Sequence, residues 1–235
     1  MRTGNRKWAA LAAAGCLLLS AAAMAAPEAG RSELNGDAIE YNMKTGEMTA
    51  KGHVVLRYED GMATADYAEY NIRTSTGTLT GGVVADKGDM HLVCDRVDVL
   101  SKTQLAAVGN VHGTQGDKQL DSPRVEYRSD EEYVCMPEGG TVATADGSVT
   151  ADYLEGWTGE KHYRGVGNAH IVSPPKNFEG GGDAAEYFGS EKGKVLLKGN
   201  AWAVQDNHTL KSSRLTVYLD DDGQAKTKPK EEGNG

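Results

Sequence analysis

The residues of this chain whose types could do chemistry are six histidines, an acid that recurs at regular intervals, and a few cysteines. The histidines are His53, His91, His112, His162, His170 and His208. A metal or proton-transfer site would want two of them three or four residues apart beside an acid, and no such pair occurs. His53 directly follows a recurring glycine whereas His112 lies three residues after its own, so they are not equivalent sites. Nucleophilic chemistry finds no Gly-x-Ser-x-Gly elbow, and phosphate chemistry no P-loop or dinucleotide fingerprint. The recurring acids suggest calcium, but calcium-binding solenoids need Gly/Asp turns at a nine-residue period, and here the period is about 29. One acid per unit on a wet face solvates a sheet. A cluster of such acids is how β-helix hydrolases work, which leaves an enzyme as a third-ranked reading. No catalytic residue, metal ligand or cofactor is expected.

These residues are spaced by a repeat. Its clearest copy is Ala65-Asp66-Tyr67-Ala68-Glu69-Tyr70-Asn71, and its anchor falls at Asp37, Asp66, Asp95, Pro123, Asp152, Asp183 and Ser213. Two residues after the anchor stand Ile39, Ala68, Val97, Val125, Leu154, Ala185 and Leu215. Four after it stand Tyr41, Tyr70, Val99, Tyr127, Tyr187 and Val217, with Gly156 the exception. Apolar residues two apart with polar ones between mark a strand with one buried and one wet face. In the back half of each unit comes Gly-x-Val or Gly-x-Ala: Gly52-His53-Val54, Gly81-Gly82-Val83, Gly109-Asn110-Val111, Gly140-Thr141-Val142, Gly167-Asn168-Ala169 and Gly199-Asn200-Ala201. A glycine at one fixed place per unit reads as a bend in the second strand.

The expectation is an all-β stack of about seven tandem two-strand repeats, roughly fourteen strands in two sheets over residues 32–220. One strand per unit in each sheet gives a stack of roughly 34 Å. The fifth unit, with Gly156-Trp157 and then Ser173-Pro174-Pro175, is expected to interrupt or hinge it. Many inward positions are Ala or Val, which leaves two readings open: a narrow packed core, or an unfilled apolar trough.

Residues 1–25 read as a signal peptide, with Arg2, Arg6 and Lys7 before an apolar stretch and Ala23-Met24-Ala25 as the cleavage signal. Ala13-Ala14-Gly15-Cys16 faintly resembles a lipoprotein box, and an uncleaved anchor is the other alternative. All three export the body. Residues 221–235 read as a disordered polar tail. The chain carries a net charge of −9, and losing the three basic leader residues makes it −12. That excludes a nucleic-acid partner, whose phosphates demand a basic face. An anionic amphiphile would be gripped through its apolar part, with Arg96, Arg124 and Arg214 as candidate head contacts. Export permits a Cys94–Cys135 disulfide without showing one.

An exported all-β chain repeating Ala-Asp-x-Ala-Glu-Tyr-Asn before a Gly-x-Val strand resembles the OstA-like lipopolysaccharide transport family. The resemblance implies an open twisted β-jellyroll in the periplasm that binds lipopolysaccharide by its acyl chains. The lipid-binding groove it implies is lined by Ile39, Tyr41, Ala68, Tyr70, Val97, Val99, Val125, Tyr127, Leu154, Ala185, Tyr187, Leu215 and Val217. The implied partners are an inner-membrane ABC transporter complex with an LptC-like protein, an outer-membrane LptD-like translocon, and further copies joined head to tail. The alternatives are a structural or adhesive surface solenoid with a packed core and no lipid, or an anchored LptC-like member if the leader is retained.

Overall fold

Alternating side chains extend each half-unit, and turns rich in Gly, Asn and Asp reverse it. The computed structural model describes residues 32–58, 61–145, 147–188, 193–218 and 225–226. The expected signal peptide lies outside them, as does all of the expected tail except Ala225–Lys226. The first eight strands are β1 (Ser32–Asn35), β2 (Ala38–Asn42), β3 (Glu47–Tyr58), β4 (Gly61–Asn71), β5 (Thr76–Lys87), β6 (Met90–Val99), β7 (Gln104–Gln115) and β8 (Lys118–Arg128). Four short ones follow: β9 (Tyr133–Met136), β10 (Gly140–Thr144), β11 (Gly147–Ala151) and β12 (Tyr153–Trp157). The chain continues with β13 (His162–Ser173), a 3-10 turn at Pro174–Lys176, β14 (Phe178–Phe188), β15 (Lys194–Gln205), β16 (His208–Tyr218) and β17 (Ala225–Lys226).

All seventeen strands join one sheet, antiparallel at every pairing. A strand of 12 residues such as β3, β7 or β15 is bent near its middle, and the register slips there. The slips fall at Lys51/Val54, Thr80/Val83, Val108/Val111, Val166/Ala169 and Lys198/Ala201. Stacked on one another, the bends crease the sheet into two facing walls. The first wall carries the repeat motif, beginning with β2 and the 47–51 half of β3. The second begins with β1 and the 55–58 segment of β3.

The two sheets expected from the repeat are therefore halves of one creased sheet. Each unit adds two layers to each wall instead of one, because both of its strands cross the crease. The first wall runs through β2–β9 and β12–β16, so the stack is about 60 Å long at ~4.8 Å per strand, not 34 Å. The interruption also sits elsewhere. Gly156 and Trp157 lie inside β12, in register with Tyr163 and His162. The break comes earlier, at Pro137–Gly139, where Pro137 has no N–H for the ladder and Gly139 takes φ +77°. The next strand parts into β11 and β12 at Asp152, whose N–H donates to Gly167 O at 2.9 Å. Pairing continues across both breaks, through β8–β9–β12–β13 on one wall and β8–β10–β11–β13 on the other.

Candidate functional site

The first wall presents its inner face in two rows, one near the crease and one near the open rim. Ala68, Val97, Val125, Leu154, Ala185 and Leu215 form the first row, all buried. Val99, Tyr127, Tyr187 and Val217 are buried in the second, with Tyr70 half-buried against the same cluster. Ile39 and Tyr41 differ, at 46% and 47% exposed, because β2 is an edge strand paired only with β3. The structure thus brings eleven of the thirteen sequence-named residues between the walls and leaves two at the N-terminal end.

The opposite wall went unnamed, although its leading residues stand in the Gly-x-Val signal. Val54, Val83, Val111, Val142, Ala169 and Ala201 are all buried against the first wall. Position two after the glycine is the first inward position beyond each bend, so the motif marks a lining residue as well as a hinge. Among the described residues the space between the walls is filled by their own side chains. A cavity beside Val134, Met136, Leu154, Tyr163, Ile171 and Tyr187 measures about 30 Å³, room for about one water. Of the two interiors left open by the sequence, the narrow packed one describes this conformation. Within it the Tyr127 hydroxyl is buried without a hydrogen-bond partner, and burial pushes its pKa up to about 12.

The crease explains the anchor acids. At each regular bend two consecutive residues have positive φ, as in Gly109 at +77° and Asn110 at +47°. The anchor carboxylate of the neighbouring strand lies over this pair. Asn110 donates to Asp95 at 2.9 Å, Asn168 to Asp152 at 2.7 Å and Asn200 to Asp183 at 3.1 Å. In the first unit His53 takes the asparagine's place, 2.8 Å from Asp37, and that contact raises its pKa above the ordinary histidine value. A Cβ at Gly109, Gly167 or Gly199 would collide with the acid. The anchors are clasps on the crease.

Of the six acids three after the anchor, four hold bases on the outer face, while Glu69 accepts from the Tyr67 hydroxyl. Asp98 pairs with Arg96 at 3.0 Å, Glu126 with Arg124 at 2.7 Å, Glu155 with Arg164 at 3.3 Å and Glu186 with Lys198 at 3.1 Å. Arg96 and Arg124, read as candidate head contacts, are thus engaged by their own strands, while Arg214 is exposed. His91–Asp86 at 2.6 Å and His112–Asp121 at 2.7 Å are exposed cross-strand pairs. Among the described residues no three His, Cys, Asp or Glu side chains are grouped to hold a metal. Both described cysteines are free and buried. Cys94 belongs to the inner cluster, with burial pushing its thiol up to about 11; Cys135 faces Glu126 on the outer side. Outside the broken strands runs an aromatic seam, Tyr133–Trp157–His162–Phe188, with centroids 5.2, 5.2 and 4.7 Å apart.

No helix among the described residues is long and apolar enough to cross a membrane. Among curated proteins none matches this chain. The crystal structure of LptH, described as the LptA homologous periplasmic component of the lipopolysaccharide transport device from Pseudomonas aeruginosa, aligns at 12% identity and a TM-score of 0.34. The alignment covers 62% of this chain and 96% of that one, too loose a superposition to argue from. Residues 100–223 match the family described as LptA/(LptD N-terminal domain) LPS transport protein. That match spans more than half the sequence and agrees with the resemblance carried by the repeats: the chain belongs to the LptA/LptD N-terminal domain family of lipopolysaccharide transport proteins.

Proposed function

We propose that this chain holds lipopolysaccharide by its acyl chains between the two walls and passes it along a protein bridge in the periplasm, without catalysis of its own. The bridge would run from the inner-membrane ABC transporter complex, through its LptC-like protein, to the LptD-like translocon of the outer membrane. The observation that carries this reading is the apolar inner face that runs from layer to layer and emerges at the N-terminal end as Ile39 and Tyr41. The interior is closed, so a lipid tail would have to part the walls about the crease. Parting is cheapest where the lining is small, as at Ala50, Ala63, Ala65, Ala68 and Ala85. Each methylene then buried returns about 0.8 kcal/mol. Among the described residues both ends of the stack present unpaired edges, β1 and β2 at one and the 208–213 half of β16 at the other, which suits strand addition between successive modules.

A photo-cross-linker at the inward Leu154 and Tyr70, compared with their outward neighbours Glu155 and Glu69, tests this. Lipopolysaccharide adducts confined to the inward pair are expected; equal labelling of both pairs would refute it. The closed interior favours a second reading, a structural solenoid without lipid, which an absence of adducts at all four positions would select.

A further inference from the structure

The rim of the first wall changes character along the stack. Its first three turns place an apolar residue and a cation together: Met43 with Lys44, Ile72 with Arg73, Leu100 with Lys102. Met43, Ile72 and Leu100 are 81%, 49% and 50% exposed, and all three cations are exposed. No acid occurs in turns 42–46, 71–75 or 100–103. The fourth turn, by contrast, reads Ser129-Asp130-Glu131-Glu132 and the fifth Thr158-Gly159-Glu160-Lys161.

The first two turns are built. Asn42 Oδ1 accepts from the Lys44 and Thr45 N–H groups, and Asn71 Oδ1 from those of Arg73 and Thr74. Ile72 N–H donates to Gly46 O at 3.0 Å, which ties the second turn to the first. Gly46 leaves room for Ile72 and Arg73 to lie across the first turn, where a Cβ would meet Arg73 Cγ at 2.8 Å. Arg73 donates to Met43 O at 3.3 Å, and none of Lys44, Arg73 or Lys102 forms a described ion pair. The opposite rim sets Asp89 beside Lys87 and Asp117 beside Lys118, so turns that carry a cation and no acid belong to the first lip.

We propose that this lip takes the phosphorylated headgroup of an anionic lipid whose acyl chains enter between the first three units. The assignment rests on the acyl-binding reading above and adds to it where the head lies. Phosphate is drawn to cations that no carboxylate pairs, the nearby Glu47 being hydrogen-bonded by Thr45 at 3.0 Å, and the exposed side chains of Met43, Ile72 and Leu100 cover the first methylenes as these leave the head. It also resolves the conflict between a strongly acidic chain and an anionic cargo, because the cations are local to the first three turns of the lip while the acids lie on the outer face, the other rim and the later turns.

The test compares the full chain with a Lys44→Glu/Arg73→Glu/Lys102→Glu variant and, separately, with Ala68→Trp, which fills the interior. Two fluorescent amphiphiles with identical acyl chains serve as probes, one a bis-phosphorylated disaccharide lipid and the other its dephosphorylated form. The lip variant should lose roughly tenfold or more in affinity for the phosphorylated probe, with salt dependence removed, and keep its affinity for the neutral one. Ala68→Trp should weaken both alike. Equal affinity of the lip variant and the parent for the phosphorylated probe would overturn the headgroup assignment while leaving acyl binding intact. Binding of neither probe to the parent would overturn both readings. Attachment to anionic vesicles without uptake of either probe would make the lip a membrane-contact surface and reject the assignment.

Discussion

The first three units and the last four share one repeat and one crease, yet they enclose different interiors. The early walls meet through Ala50, Ala63, Ala65, Ala68 and Ala85 together with Leu79, Met90, Leu92 and Leu105, with no fully enclosed aromatic ring among the described residues, and their outermost inward residues, Ile39 and Tyr41, reach solvent. The later walls have alanines too, at Ala151, Ala169, Ala185, Ala201 and Ala203, but add the buried rings of Tyr127, Tyr163, Phe178 and Tyr187. The rim follows suit, apolar and basic at first, then acidic. On the outside, the later half alone carries the aromatic seam, with Arg128 and Lys194 over its end rings at 5.0 and 4.8 Å. A period therefore specifies the scaffold, while the sizes at inward positions decide which stretch holds shut and which can yield. On the acyl-binding proposal, stability and lipid capacity would be divided along the stack.

The largest test of that division is a truncation in each half. Leu197 is fully buried on the first wall, so Leu197→Ala should cost about 3 kcal/mol. Leu56, half-buried on the second wall near the N-terminal end, should cost about 1 kcal/mol as Leu56→Ala. Urea unfolding monitored by circular dichroism reads both. Equal losses would mean that the early half is packed as firmly as the late one, and the contrast would fall.

The two halves should behave alike at the crease. Gly109→Ala and Gly167→Ala each force a Cβ into an anchor carboxylate at φ +77° and +76°. Each should therefore cost about 2 kcal/mol, part from the left-handed backbone and part from the collision. Adding Asp95→Ala to Gly109→Ala takes the carboxylate out of the collision and leaves only a Cβ 2.9 Å away, so the double variant should lose less than the sum of the two singles. An additive outcome would deny the clasp its place over the bend.

Much of this architecture is legible in the residues. Period-two alternation at Ala68/Tyr70 and Val97/Val99 fixes both strand and inward face, because a one-residue slip would turn Glu69 or Asp98 into the interior. What could not be read was the number of layers. An eleven-residue run such as Gly61–Asn71 looks like one strand in one sheet, and only the neighbour's Gly81-Gly82 reveals that it crosses a crease. The clasp was readable in principle, since Asp37, Asp66 and Asp152 each precede their glycine by the same interval, but a sequon-sized signal spread over half a unit is easily taken for solvation. The closed interior was not legible. Small residues are equally compatible with walls held apart and walls drawn together, and the choice depends on the bend angle at the crease, which no single residue type encodes.

The second unit supplies the finest contrast, because its crease lacks a clasp partner. Gly81 and Gly82 take φ +89° and +61°, and Asp66 lies against Gly81, but no side chain stands where Asn110, Asn168 and Asn200 donate in their own units. A Cβ at Gly82 would meet nothing within 4 Å. Asparagine tolerates the left-handed region better than other residues with a Cβ, and it would narrow the unfolded ensemble relative to glycine. Gly82→Asn should therefore add a hydrogen bond to Asp66 and stabilise the protein by about 0.5 kcal/mol. If the early half serves by yielding, the same change should slow uptake of a lipid probe while leaving the closed form intact. A stabilised variant that loads at the parental rate would show that the walls do not part at this bend, and would move the yielding point toward the edge strand that carries Ile39 and Tyr41.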